Sequence, residues 1–117
     1  MLLLTSTNDR LQLVTGVATT IDVHASWVDT NAGVITPGRT NTAITTAATT
    51  IVVTGPAAST QRNVKTLYVR NKSPSVSSDI TVRHTDGTTV LELLKTTLLP
   101  NQSLQMTDQG GFVLLRS

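Results

Sequence analysis

The sequence predicts an all-β domain, an antiparallel β-sandwich or jelly-roll-like fold, and three observations carry that expectation. About one residue in five is threonine, and with valine and isoleucine it dominates the apolar segments. Such β-branched side chains are stiff at χ1, which disfavours a helix and suits a pleated surface. No window shows the i, i+3, i+4, i+7 apolar stripe of an amphipathic helix. Turn signals instead recur about every 8–12 residues, the spacing of a sandwich or barrel. The 117 residues suit a single domain over 1–117, with 1–8 set apart as a candidate N-terminal arm and Leu2–Leu4 either part of that arm or a first strand.

The elements follow in order. "RLQLVTG" (Arg10–Gly16) places Leu11, Leu13 and Thr15 on one face. "ATTIDVHASWVDT" alternates Ile21, Val23, Ala25 and Trp27 against Asp22, His24 and Ser26, as a half-buried strand does. "TNAGVITPGRTN" supplies two turn signals around Val34 and Ile35. "ITTAATTIVVTGP" reads as a strand or two ending at Gly55-Pro56, with threonine outward over 41–54. In "NVKTLYVRNK", Leu67 and Val69 face one way and Tyr68 the other; "SPSVSS" is a loop, because its proline and serines do not suit mid-sheet positions. "DITVRHTDGTTVLELLK" is a hairpin, with Asp86-Gly87 expected to form a tight type I′ turn. "VLELLKTTLL" could form a short helix, but the hairpin turn and flanking threonines favour a strand. "TLLPNQSLQMTD" reads strand, turn, strand, and a last strand follows a turn at Gly110-Gly111.

Composition narrows the function classes. There is no cysteine, so disulfides and thiolate metal sites are excluded. A net charge of +2 demands neither a nucleic-acid nor a membrane partner. Charged residues make up 14% of the chain, against about 25% in soluble domains, and so quiet a surface suits a subunit that spends its life assembled. "MLLLTSTNDR" lacks the basic start and longer apolar run of a secretory signal, and no stretch approaches the length of a membrane span, so synthesis in the cytoplasm is expected.

The residues offer little for catalysis. His24 and His84 lie on separate strands, and Asp22, Asp86 or Glu92 would have to complete a metal site; both histidines read as structural. Neither a nucleophile elbow nor a glycine-rich phosphate loop occurs, and Glu92 has no carboxylate partner in view. No enzyme and no cofactor is therefore expected. Trp27 reads as a core plug. A glycan platform would call for several exposed aromatics, whereas only Trp27, Tyr68 and Phe112 exist. From Thr30 to Ser78 there are five basic residues (Arg39, Arg62, Lys65, Arg70 and Lys72) and no acidic one. Without stacking aromatics these indicate a basic edge meeting an acidic partner rather than nucleic acid. The expected interface comprises Leu2, Leu3 and Leu4, Ile44, Thr46 and Thr49 of the uncharged segment, and Arg62, Lys65, Arg70 and Lys72.

Three stretches, "IDVHASWVDTNAGVITPGRTNTAITTA", "AASTQRNVKTLYVRNKS" and "TVRHTDGTTVLELLKTTLLPNQSLQMTDQGGF", carry a resemblance over about Thr5 to Phe112. Their most specific pieces are "DVHASW", "TPGRTNT", "RNVKTL" and "HTDGTT". The chain resembles small structural proteins encoded among the head and tail genes of tailed bacteriophages. That resemblance implies a virion component without catalytic residues. Its partners would be copies of itself and other virion proteins, the major capsid protein or tail proteins. Capsid decoration is the leading expectation; a tail, neck or baseplate component and a host-surface carbohydrate-binding module are the alternatives.

Overall fold

The computed structural model describes residues 2–107 and 111–115, which form ten strands in two antiparallel sheets packed face to face. The strands are β1 (Leu2–Leu4), β2 (Arg10–Thr15), β3 (Ile21–Asn31), β4 (Val34–Ile44), β5 (Thr49–Val53), β6 (Gln61–Asn71), β7 (Ser78–Thr85), β8 (Val90–Leu98), β9 (Ser103–Thr107) and β10 (Gly111–Leu115). The larger sheet runs β10-β9-β6-β3-β4, with β1 also paired to β6; the smaller runs β5-β2-β7-β8. The fold is therefore the antiparallel β-sandwich that the threonine-rich alternation predicts.

Alternation decides what lies inside. Leu11, Leu13, Ile21, Val23, Ala25, Leu67, Val69, Ile80, Val82, Leu98, Leu104 and Met106 are all buried between the sheets. Each large apolar side chain so buried contributes about 1.5–3 kcal/mol. The buried side chains of Asn71 and Asp9 are satisfied locally. Asn71 donates to the carbonyls of Val76 (2.7 Å) and Leu98 (3.1 Å) and accepts from the Ser73 amide, tying the 72–77 loop to the β8–β9 corner. Asp9 closes the turn after β1 by accepting from the amides of Thr5 (2.7 Å) and Ser6 (3.2 Å) and from the Ser6 hydroxyl (3.0 Å).

The turns depart from expectation in instructive ways. The tight turn lies at Ala32-Gly33, where both φ angles are positive (50° and 80°) as a type I′ turn requires. The Asp86-Gly87 hairpin exists, but its loop covers residues 86–89, and only Gly87 has positive φ. The Asp86 carboxylate accepts from the Thr88 and Thr89 amides (2.9 and 2.7 Å), an Asx arrangement that holds the wider loop. The second turn signal, Pro37-Gly38, is not a turn: β4 runs straight through it. Proline is tolerated there because β4 is an edge strand. Gly38 lies opposite Trp27, where a Cβ would come within 2.6 Å of the indole nitrogen.

The segment 41–54 is not one strand. It ends β4, crosses between the sheets through residues 45–48, and begins again as β5. Nor do Leu2–Leu4 project as an arm: they pair with Val64, Asn63 and Arg62 of the same chain. Gly110 lies outside the described residues, and Gly111 opens β10 with φ 65°.

Two stability measurements follow. Gly38→Ala should cost about 1–3 kcal/mol in urea unfolding by overpacking against the indole, and the cost should vanish in a Trp27→Leu background; an equal cost in both would remove the indole as the cause. Burial pushes the Asp9 carboxyl up, but the Thr5 and Ser6 hydrogen bonds, with a smaller pull from His84, bring it below its ordinary value. With the folded value below the unfolded one, its contribution is complete above about pH 4 and is lost as pH falls through the folded value. Asp9→Asn should therefore cost about 1–2 kcal/mol at neutral pH, with the deficit shrinking in acid; a deficit independent of pH would exclude this carboxylate as an acid-sensitive element.

Candidate functional site

Cross-strand register places the outward side chains of the larger sheet in rows. One row runs Ala43–Asp22–Arg70–Ser103, the next Asn41–His24–Tyr68–Gln105, and a third Arg39–Ser26–Thr66. The middle row is held together by polar contacts. His24 Nδ1 and Asn41 Oδ1 lie 2.6 Å apart, with the ring nitrogen donating. The His24 and Tyr68 rings are tilted at 38° with centroids 6.4 Å apart, and Gln105 Nε2 donates to the Tyr68 hydroxyl at 3.1 Å. Beside it, Lys72 Nζ lies 3.1 Å from Asp22 Oδ2, and Ser26 and Thr66 share a hydroxyl hydrogen bond in the third row. Asp22, His24, Asn41, Thr42, Ala43, Tyr68 and Arg70 line a shallow depression of about 460 Å³.

A β-bulge separates this face from the other end of the sheet. Ser26 pairs with Thr66 but Trp27 pairs with Val64, so Lys65 is the extra residue on β6. The bulge turns Arg62 to the inner face, away from Tyr68 and Arg70. There its guanidinium binds Asp29 with two hydrogen bonds (2.8 and 2.9 Å), reaches the Thr54 carbonyl (2.9 Å) and lies over Trp27, 4.4 Å from the ring centroid. Its side chain is only 12% exposed, so this is an internal lock closing one end of the core.

The expected interface residues disperse accordingly. Leu4 and Ile44 are core residues, 0% and 4% exposed, and no neighbour can reach them in this fold. Leu2 packs against the core, while Leu3 is exposed and its carbonyl lies 3.2 Å from His84 Nε2, which donates to it. Thr46 and Thr49 are exposed beside the crossing, and the Thr46 carbonyl accepts from the Thr15 hydroxyl. Of the basic residues, Arg62 and Lys72 meet aspartates of β3 in the same chain, where the sequence suggested an acidic partner. Arg70 remains exposed with a long contact to Ser103 (3.4 Å), and Lys65 occupies the bulge. His84 and Glu92 lie on the smaller sheet, apart from His24's row. Among the described residues, no group of three or more His, Asp or Glu side chains could hold a metal ion.

Two features were invisible in the sequence. Tyr68, His24, Asn41 and Gln105 become neighbours only through the register of four strands. The apolar residues of β8 and β10, among them Leu91, Val113, Leu114 and Leu115, are exposed although their hydrophobicity suggested burial. Both strands lie at sheet edges, where one side has no neighbour.

The Arg62 lock can be read directly, since Trp27 is the only tryptophan. Arg62→Lys keeps the charge but loses the bidentate fork and the planar stack, so it should shift Trp27 emission to the red and cost about 1–3 kcal/mol. Unchanged emission with unchanged stability would show that the stack holds nothing.

No protein-family model, curated protein or solved structure matches the chain.

Proposed function

We propose that the chain is a structural protein of a tailed-bacteriophage particle, a capsid-decoration module that assembles with copies of itself and bridges shell subunits. The observation that carries this reading is the state of its sheet edges. The five strands paired on one side only, β1, β4, β5, β8 and β10, hold only Arg39, Glu92 and Lys95 as charged residues. A monomer free in solution guards such edges with charge, proline or bulges, because an open strand edge templates pairing with other chains. Here β4 has Pro37 and one arginine, and β5 and β8 are bulged at Val52 and Leu93, but β5 and β10 have no charge at all. Edges of this kind suit subunits fixed side by side, where neighbours cover the open backbone. The exposed leucines and valines of β8 and β10 add apolar contact surface on the same terms. The sequence resemblance to phage head and tail proteins supplies the setting, and a small sandwich with broad contact surface fits decoration of a shell.

The test is immunogold labelling of intact and disrupted phage particles with antibody raised against the recombinant chain. Label spread over heads is the expected result. Label confined to tail, neck or baseplate would keep the virion assignment and replace decoration by the tail reading. Absence of label on both intact and disrupted particles would overturn the virion assignment itself.

A further inference from the structure

We propose that the depression on the outer face of the larger sheet is a binding site for a neutral saccharide, with Tyr68 as its stacking platform. Tyr68 is 39% exposed and stands at the centre of the row Asn41–His24–Tyr68–Gln105. Its ring offers a flat apolar surface, which the C–H face of a pyranose covers, while polar groups on both sides reach the ring's hydroxyls.

The hydrogen-bonding inventory selects the ligand class. His24 donates its Nδ1–H to Asn41 Oδ1, which leaves His24 Nε2 as a second polar atom and the Asn41 amide nitrogen as a donor. Tyr68 accepts from Gln105 Nε2, which leaves the phenolic O–H to donate and Gln105 Oε1 to accept. In the adjoining row Asp22 keeps Oδ1 while Oδ2 meets Lys72, and Arg70 presents guanidinium donors beyond its contact with Ser103. Donors and acceptors thus alternate around one aromatic ring, and a hydroxyl, which both donates and accepts, is the group that uses such a set.

Other ligand classes fit less well. A phosphate or carboxylate is an anion and would lie against the Asp22 carboxylate. A nucleic-acid strand, like an extended glycan platform, needs several stacking aromatics, and Tyr68 is the one large aromatic lining this depression, so the site takes a single sugar ring. The row also holds its own side chains in place through the His24–Asn41 and Gln105–Tyr68 hydrogen bonds, so the site is preorganised and little side-chain entropy is lost on binding.

This site stands independently of the virion reading, since it is read on the isolated chain and not on particles. The experiment is an amide chemical-shift titration of the full chain with glucose, galactose, mannose and N-acetylglucosamine, each free and as a disaccharide, with inorganic phosphate and acetate as ionic probes. The expected result is saturable shifts at residues 22–24, 41–43, 68–70 and 103–105 with at least one neutral sugar. Tyr68→Ala should weaken that binding by about tenfold or more at unchanged thermal midpoint, while Tyr68→Phe, which keeps the ring, should retain most of it. Absence of shifts with every sugar, shifts with the ionic probes alone, or sugar shifts that survive Tyr68→Ala would each overturn the proposal.

Discussion

The pairing of β3 with β6 is the constraint on which the rest of the structure depends. These two strands are the middle of the larger sheet, and their register decides which residues face the smaller sheet and which face solvent. Strand side chains alternate with period two, so a slip of one residue would carry either Ile21, Val23 and Ala25 of β3 or Leu67 and Val69 of β6 to the outside. That loss would exceed any gain elsewhere, because each such residue contributes about 1.5–3 kcal/mol when buried. The register also aligns His24 with Tyr68 and Asp22 with Arg70, so the core's demand for apolar burial assembles the polar rows of the opposite face.

The bulge at Lys65 is the second consequence of that pairing. Without it, Arg62 would share a face with Tyr68, Arg70 and Lys72, and three basic residues would line one side of β6 and its end. With it, Arg62 passes to the inside, and Trp27, Asp29 and Leu4 gather around it. A buried guanidinium is tolerated only when its donors are met, and here a carboxylate, a backbone carbonyl and an aromatic face meet them. The lock lies where the sandwich gives way to the β3–β4 hairpin, whose outer part exposes Val34 and Ile35. Arg62 therefore works inside the fold, where it is unavailable to a partner.

Much of this architecture was legible in the sequence, for a physical reason. Alternation over Ile21–Trp27 and the split of Leu67 and Val69 from Tyr68 report burial directly, since burial is what selects residues along a strand. Turn chemistry was less legible. Asp-Gly at 86–87 suits a type I′ turn, yet the Asp86 carboxylate caps a wider loop, whereas Ala32-Gly33, the first of the two turn signals around Val34 and Ile35, takes the tight geometry. Pro37-Gly38 misleads because the two residues answer to different neighbours, the open edge for Pro37 and the Trp27 indole for Gly38. The candidate site was hidden for another reason. His24, Asn41, Tyr68 and Gln105 lie on four strands, and nothing local in the chain records which of them pair. A bulge, which changes face by one residue, is equally silent; the basic residues therefore read as one cluster.

The proposed roles divide the molecule between its edges and its face. Edge strands low in charge are a liability in isolation and an asset in an array, because neighbouring copies there satisfy the open backbone. Pairing at the edges leaves the outer face of the larger sheet uncovered, and that face is where the alternating donors and acceptors surround Tyr68. A shallow, solvent-facing depression binds one sugar weakly, since much of the ligand stays hydrated. On a particle carrying many copies, each further contact becomes intramolecular, and linked weak sites gain about 10²–10⁴ over one alone when the geometry lets them engage together. Assembly through the edges would then set the affinity of the face, and a site too weak to matter on one chain would act as a surface when the chains are held side by side.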